Sequence, residues 1–432
     1  MFNVEWNAGG STTFSGRYLS RNRIHNMRKL LLAILLFQAI NVFGQTVSAE
    51  IDSGPLPFTN LGTIFPAPAV AMAKDRTGLA IAWLMPSTVG DRISVVRLDA
   101  TGHFTGQVQS IPALSDSIHV VAPSIAALPQ GDGFTLAWLE TSSTASSVTR
   151  AAYCRLDHDL HPSTTSMLTI VPSASTGPAV VRAGKTTWIS AGASVWELRD
   201  DGSLGAPLDA GVAATDMTVA TDFPQIVGLG HLISGEVACP VACRLPRTFC
   251  ACPLTQLKTA SLRFVSLYSI SGAKSFEFES DAAPAIGGDG RDVALVWFNN
   301  EHGKGGSIVM TRLLPPSFTD FPTAVNQSHV IGSFGPDTGP TRPDIASDGE
   351  RYVVVWRTQT TGRAHDIVGA SIDRAGNIIP LSIATSAADE RDPSVFAMGD
   401  GRFLVAYEKV IGDERHIAGR FVAFDARGRA VR

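Results

Sequence analysis

The chain has 432 residues, a formal net charge of −4 and 17% charged residues, beside 40 glycines and 25 prolines. This length suits one large domain or two to three ordinary ones. The many glycines and prolines and the few charged residues fit short strands with tight turns, and they argue against a coiled coil or a disordered acidic chain. Beyond residue 49 the chain carries 30 basic and 38 acidic residues, which argues against a nucleic-acid partner.

The N-terminal region contains a predicted signal peptide over residues 27–49. The basic stretch 27–29 precedes the apolar run Leu30–Ile40, and a short basic start followed by such a run is typical of export signals. The run is shorter than the ~20 residues that span a bilayer, so we expect no membrane span after its removal. Cleavage is expected after Ala49, or alternatively after Gly44, with export to the periplasm, the cell surface or the medium.

Residues 1–26 precede this signal and are polar, with no periodic pattern. We interpret them as a disordered upstream extension ahead of a true start at Met27. An unusually long basic leader is the alternative. In either case they are not expected to belong to the fold.

One imperfect unit repeats along the remaining chain. Each copy begins with a proline and a short apolar strand, followed by a turn and a second apolar strand that ends in an aromatic residue. A third strand follows, and the sequence Asp-x-x-Gly often comes directly after it. In the clearest copy the strands are predicted over Pro343–Ala346, Tyr352–Trp356 and Ile367–Ile372, followed by Asp373–Gly376. The seven anchor prolines are Pro68, Pro123, Pro178, Pro224, Pro284, Pro343 and Pro393, of which the fourth lacks the aromatic residue.

These units predict an all-β fold, a seven-bladed β-propeller of four-stranded antiparallel blades in a single domain over residues 50–432. A unit with two apolar faces cannot bury itself, and packing such units around an axis solves this problem. The aromatic residue is expected to fill the wedge between neighbouring sheets. Segment Pro57–Phe65 is expected to complete the last blade. A six-bladed ring is the alternative if the fourth unit is an insertion.

The repeat resembles that of secreted bacterial β-propeller proteins. The resemblance covers about residues 60–432 and is clearest in VVVWRTQTTGRAHDIVGASIDRAG and VAYEKVIGDERHIAGRFVAFDARG. It implies the fold and is nearly silent on activity, because propellers support unrelated functions.

A cysteine-rich loop at 238–253 interrupts the fourth unit between its second and third strands. In an exported protein such a cluster predicts two disulfides of unknown pairing, with a four-thiolate metal site as the alternative. Cys154 lies in an alternating strand and is expected to be a buried free thiol. The clustered cysteines are Cys239, Cys243, Cys250 and Cys252.

Polar residues cluster before the innermost strands and after the second strands, at one end of a propeller. Carboxylate, Arg and His side chains there could bind sugar hydroxyls or divalent cations, or serve in acid–base chemistry. The candidate binding residues are Asp389, Glu390, Arg391, Asp392, His365, Asp366, Arg342, Glu301 and His302. No catalytic motif, metal site or cofactor motif is recognised, so no cofactor or metal is predicted.

The favoured hypothesis is an exported, monomeric propeller that binds an extracellular protein or glycan through this end. One alternative is an extracellular polysaccharide hydrolase or lyase with carboxylates at the channel mouth. The other is a structural spacer at the cell surface. An enzyme of the first kind requires two carboxylates that converge in one pocket, roughly 5–10 Å apart.

Overall fold

The computed structural model describes residues 46–54, 70–85, 92–99, 101–114, 118–128, 131–142, 149–163, 165–171, 177–183, 186–192, 194–209, 213–219, 225–231, 248–250, 263–264, 277–279, 284–288, 293–301, 305–313, 328–334, 341–359 and 364–424. Every regular element in these ranges is a β-strand. Within them, no helix is long and apolar enough to cross a membrane.

The strands of the first half form three four-stranded sheets after two short N-terminal strands, β1 (Thr46–Val47) and β2 (Ile51–Asp52). Sheet 1 contains β3 (Val70–Lys74), β4 (Leu79–Met85), β5 (Arg92–Leu98) and β6 (Phe104–Ile111). Sheet 2 contains β7 (Ile118–Ala127), β8 (Phe134–Ser142), β9 (Thr149–Leu156) and β10 (Ser166–Val171). Sheet 3 contains β11 (Ala179–Ala183), β12 (Thr186–Ala191), β13 (Ser194–Leu198) and β14 (Leu208–Asp209).

The strands of the second half form four more sheets. Sheet 4 contains β15 (Ala213–Val219), β16 (Gln225–His231), β17 (Thr248–Cys250), β18 (Arg263–Phe264) and β19 (Glu277–Glu279). Sheet 5 contains β20 (Ala285–Gly288), β21 (Val293–Glu301), β22 (Gly305–Leu313) and β23 (His329–Ser333). Sheet 6 contains β24 (Asp344–Ser347), β25 (Arg351–Gln359), β26 (His365–Asp373) and β27 (Ile378–Ala384). Sheet 7 contains β28 (Asp389–Gly399), β29 (Arg402–Ile411) and β30 (Glu414–Ala423), with β1 and β2.

The first strand of each sheet lies innermost and contacts the first strand of the next sheet, and β28 contacts β3 so that the ring closes. The predicted all-β propeller of four-stranded antiparallel sheets is confirmed. The described strands fall into seven sheets. The blade number of the whole ring stays a prediction, since sheet 4 is described only over short strands.

The last sheet is completed by the N-terminal chain. Thr46 pairs with Ala423, Ile51 pairs with Gly419, and the Ser48 amide donates to the Phe421 carbonyl at 2.9 Å. The prediction that Pro57–Phe65 supplies this strand is therefore wrong, because residues 46–52 already occupy the outer edge of β30. Pro57–Phe65 lies outside the described residues.

In sheets 1 and 7 the aromatic residue of the unit fills a gap between sheets, as predicted. Trp83 is 1% exposed and packs with Met398 and Leu404 of sheet 7. Tyr407 is fully buried and packs with Val353 and Val355 of sheet 6. These side chains pack on the preceding sheet and hold the ring together through apolar burial.

The anchor proline does not always begin the innermost strand. Pro123 and Pro393 lie inside β7 and β28, each at a break in pairing register with the second strand. A bulge leaves a residue unpaired, so the missing proline N–H removes no ladder hydrogen bond. The expectation that the proline starts the strand is wrong for these two sheets.

The fourth unit is assigned differently from the sequence prediction. Its innermost strand is β15 (Ala213–Val219), and the strand after Pro224 is the second strand, β16. The prediction of Pro224 as an inner-strand anchor is therefore wrong, which explains the missing aromatic residue. The third strand, β17 (Thr248–Cys250), lies within the stretch 238–253 that is predicted as a loop, and the other residues of that stretch lie outside the described residues. Only Cys250 of the four clustered cysteines lies in the described residues, so their disulfides stay a prediction.

Third-strand arginines connect consecutive sheets at the end of the ring that carries the Asp-x-x-Gly turns. Each guanidinium donates to a backbone carbonyl in the turn of the next sheet. The contacts are Arg97 to His158 at 2.6 Å, Arg155 to Asp200 at 2.8 Å and Arg312 to Arg374 at 2.9 Å. Sequence reasoning missed these contacts, although Arg97 and Arg155 both stand two residues before the turn aspartate.

Candidate functional site

The candidate site lies at the upper face, defined as the end of the ring where β28 begins and where β25 leads to β26. His365 is the first residue of β26 in sheet 6, and Asp389 is the first residue of β28 in sheet 7. Because the two sheets are neighbours, strand pairing places residues far apart in sequence at one edge.

Asp389 is the centre of a hydrogen-bonded group with His365 and Arg391. His365 Nδ1 lies 2.6 Å from Asp389 Oδ1, and the His365 amide donates to the same oxygen at 3.1 Å. Arg391 Nε donates to Asp389 Oδ2 at 2.7 Å. The side chains of His365 and Asp389 are each 21% exposed, and that of Arg391 is 33% exposed. The group is therefore held in place and still accessible.

The charge state of Asp389 follows from these contacts. Burial would raise the pKa of the Asp389 carboxyl, but the hydrogen bonds from Arg391 and His365 outweigh it and lower the pKa below its usual value. Asp389 is therefore a carboxylate near neutral pH. It has no proton to donate, and its two oxygens already accept hydrogen bonds from the amide and ring of His365 and from the guanidinium group of Arg391.

Glu390 points away from this group and is fully buried. Its Oε1 accepts a hydrogen bond from the Ser386 hydroxyl, whereas its Oε2 has no partner. Burial raises the pKa of the Glu390 carboxyl, the hydrogen bonds from Ser386 oppose this rise, and the negative charges of Asp366 and Glu50 add to it. Because its side chain is buried, Glu390 cannot contact a ligand at the surface.

Glu50 connects the N-terminal segment to the same sheet. Its carboxylate accepts hydrogen bonds from the Tyr407 hydroxyl at 2.5 Å and from Lys409, and Arg420 lies 3.5 Å away. Burial would raise the pKa of the Glu50 carboxyl, but the bonds from Lys409 and Tyr407 lower it. Burial raises the pKa of the Tyr407 hydroxyl.

A second ion pair lies on β29 and β30. Arg415 donates to both oxygens of Glu408, and Glu408 is 4% exposed. Burial raises the pKa of the Glu408 carboxyl, Arg415 lowers it, and the charge of Asp392 raises it. Asp392 has a φ of 46° at the bulge before Pro393, a conformation that Asp tolerates better than most residues.

Two further predicted residues lie before or at the end of other strands, Arg342 in sheet 6 and Glu301 in sheet 5. Arg342 is half-buried just before β24, and its charge lowers the pKa of Asp344, which burial raises overall. Glu301 ends β21 in sheet 5 and pairs with Gly305, and His302 lies outside the described residues. The hydrogen bonds therefore join His365, Asp389 and Arg391, whereas Glu301 belongs to sheet 5.

Sequence reasoning missed the residues that support the site. Glu50 and Lys409 carry no motif, and Tyr407 is predicted only as the aromatic residue of the seventh unit; Glu50 directly follows a predicted cleavage site. The alternation of Tyr407 and Lys409 on one face of β29 was a usable signal, but their partner is supplied by long-range pairing. No group of three or more His, Cys, Asp or Glu residues that could hold a metal occurs within the described ranges.

Solved structures share the fold of this chain. No protein family and no curated protein matches the sequence. An α-L-arabinanase of Penicillium chrysogenum, complexed with arabinobiose, has a TM-score of 0.50 at 9% identity over 87% of this chain and 98% of its own. A protein of unknown function from Dyadobacter fermentans has a TM-score of 0.43 at 11% identity over 87% and 99%.

A sialidase of Trypanosoma rangeli, in complex with sialic acid, has a TM-score of 0.43 at 9% identity over 87% of this chain. The match spans 59% of the sialidase's own length. At 9% identity the arabinanase match supports the propeller fold alone and leaves the function to the site itself.

Proposed function

We propose that the protein is an exported propeller that binds a glycan through the upper face of sheets 6 and 7. The observation that carries the proposal is the accessible group of Asp389, His365 and Arg391. In this group the Asp389 carboxylate fixes an imidazole ring and a guanidinium group side by side. Neighbouring sugar hydroxyls both donate and accept hydrogen bonds, so such a preorganised group suits them and binds with little loss of side-chain entropy.

The fold similarity supports a glycan over a protein ligand. The arabinanase that shares the propeller fold was solved with arabinobiose, and small ligands of propellers and barrels commonly bind where loops converge at one end. Export is proposed from the signal sequence at 27–49. The N-terminal strand at 46–52, which completes sheet 7, is compatible with removal of the chain before it.

Binding is favoured over hydrolysis by the state of the carboxyl groups. Hydrolysis of a glycosidic bond commonly needs a protonated acid and an ionised carboxylate on opposite sides of that bond. Glu390 and Glu408 have raised pKa values but are buried. Asp389 is accessible but has a lowered pKa. Among the described residues, the group therefore contains no accessible protonated acid for hydrolysis.

The test is a screen of the purified protein against immobilised oligosaccharides, including arabino-oligosaccharides, with reducing ends measured in parallel. We expect retention of the protein on a subset of glycans without release of new reducing ends. Release of reducing ends would establish a hydrolase. Absence of binding to every glycan, with binding to an extracellular protein instead, would overturn the proposal.

A further inference from the structure

The N-terminal segment 46–53, which we name the clasp, is hydrogen-bonded to β30 beyond its two short strands. The Ser48 hydroxyl accepts a hydrogen bond from the Phe421 amide at 2.9 Å, and the Ser53 hydroxyl accepts one from the Ile417 amide at 3.0 Å. The Ser53 amide donates to the Ile417 carbonyl, also at 3.0 Å. These bonds extend the pairing that β1 and β2 make with β30, so the clasp is held along its length.

Apolar side chains of the clasp pack on both faces of sheet 7. Val47 packs against the core cluster between sheets 6 and 7, and Ile51 packs against the cluster between sheets 7 and 1. Ile51 also lies against the turn that follows β5 in sheet 1, where a Cβ added at Gly102 would be 2.1 Å from Ile51 Cδ1. The clasp therefore covers the joint at which the last sheet of the ring meets the first.

Glu50 adds a charged anchor to these contacts. Its side chain is 16% exposed, and the Lys409 side chain that donates to it is 12% exposed. Arg420 lies beside the same carboxylate and donates to the Ser48 carbonyl at 3.2 Å. Charged hydrogen bonds that are shielded from solvent are stronger than neutral or exposed ones, so this anchor stabilises the closed clasp in the folded ring.

Both expected cleavage sites for the signal peptide lie at the clasp. The bond after Gly44 is separated from Thr46, the first residue of β1, by one residue, and the bond after Ala49 lies inside the clasp. A protease cleaves backbone that is free of pairing, so in a folded chain it acts on the opened form. A bound protease and a closed clasp therefore exclude each other.

We propose that the clasp fixes the order of export and folding: the signal peptide has to be removed before the clasp closes, because a closed clasp blocks its removal. In the processing step, water hydrolyses the peptide bond after Gly44. The carbonyl becomes the carboxyl end of the signal peptide, and the nitrogen becomes the amino terminus of Gln45. The inference rests on the export that forms part of the proposed function, and it is independent of the group of Asp389, His365 and Arg391.

The test compares two forms of the full-length precursor in detergent, each treated with purified signal peptidase. One form is folded beforehand, and the other is diluted from urea directly into the peptidase solution. Intact mass follows the appearance of the processed chain. The folded precursor should be cleaved at least about tenfold more slowly, because only its opened fraction is a substrate.

Variants of β29 and β30 connect this protection to the clasp without changing the sequence around the cleavage site. Lys409→Met removes the ammonium group that binds Glu50, and Arg420→Met removes the guanidinium group beside it. Each should raise the cleavage rate of the folded precursor at least about tenfold. Asp413→Asn, which alters an exposed carboxylate in the same sheet, is the matched control and should be cleaved as slowly as the native chain. Melting temperatures establish that each variant is folded.

Equal cleavage rates for the folded and the urea-diluted native precursor would overturn the inference. So would unchanged protection in both Lys409→Met and Arg420→Met. If one of these variants does not fold, the other variant and the comparison of the two native forms decide. A precursor that is not cleaved even from urea would refute the predicted signal peptide and, with it, the export on which the inference rests, whereas retention on glycans in the screen would be unaffected.

Discussion

Replacement of Asp75 by Ala should destabilise the protein by about 3 kcal/mol. The Asp75 carboxylate is fully buried and accepts two hydrogen bonds from the Arg97 guanidinium group, at 2.8 and 3.1 Å. It also accepts hydrogen bonds from the backbone amides of Thr77 and Gly78. A further hydrogen bond comes from the amide of Gly133, which belongs to the turn before β8 of sheet 2. Removal of one partner from a buried ion pair costs about 3–5 kcal/mol. We take the lower end because the Arg97 side chain is 15% exposed and can be hydrated.

The effect is measured by urea unfolding followed by tryptophan fluorescence. Asp132→Ala, at an exposed position in the turn that sheet 2 presents to Asp75, is the control and should stay within about 0.5 kcal/mol of the native protein. A loss below about 1 kcal/mol for Asp75→Ala, or a loss equal to that of the control, would refute the idea that this carboxylate joins sheets 1 and 2.

The pH dependence of Asp75 has a definite sign. Burial would raise the pKa of its carboxyl, but the bonds from Arg97 and Thr77 lower it below the usual value. A lowered pKa in the folded state stabilises the protein above the unfolded pKa of about 3.9. The stability advantage of the native protein over Asp75→Asn should therefore disappear as pH falls through the lowered folded value.

Three further predictions concern sheet 7, the N-terminus and the cysteines. Glu390→Gln should raise the melting temperature at pH 8, because the raised pKa of Glu390 makes its ionised form unfavourable in the folded protein. The gain should disappear towards pH 4, where the native Glu390 is protonated as well. A gain equal to that of the exposed Glu414→Gln would contradict this prediction. The intact mass of the exported protein should correspond to a chain that starts at Gln45. Cleavage after Ala49 would remove the contacts that Thr46–Ser48 make with β30. A mass that corresponds to a start at Glu50 would contradict this prediction. Thiol titration of the native protein should detect no reactive thiol, because burial raises the pKa of Cys154 to about 12. After denaturation without reductant, the titration should detect one thiol, that of Cys154. A count of five after denaturation would exclude the predicted disulfides.

Local patterns in the sequence predicted the parts of the fold that depend on neighbouring residues. Asp373–Gly376 forms the predicted turn, in which the Gly376 amide donates to the Asp373 carbonyl and Gly376 has a φ of 86°. The strand predicted over Tyr352–Trp356 lies inside β25, and Trp356 is 4% exposed. Such features are encoded within a few residues, so one repeat is enough to predict them.

Features that depend on pairing of distant residues were not predictable in the same way. β15 has neither an anchor proline nor an aromatic partner, so the sequence pattern pointed to Pro224 instead. The strand that closes sheet 7 has no repeat signature, because β1 and β2 have only two residues each. At the candidate site, polar composition predicted the run 389–392, but only the pairing of β28 with β29 separates the accessible Asp389 from the buried Glu390.

The most direct test of glycan binding at the upper face is calorimetric titration of arabinobiose, or of a glycan retained in the screen, into native protein and Asp389→Asn. Asp389 holds His365 and Arg391 in place through charged hydrogen bonds, which contribute about 1.5–3 kcal/mol each. We therefore predict that Asp389→Asn loosens both groups and weakens binding by at least about tenfold. Asp413→Asn, exposed on the neighbouring turn between β29 and β30, should leave binding unchanged. Equal affinities for the native protein and a folded Asp389→Asn variant would contradict the assignment of this site.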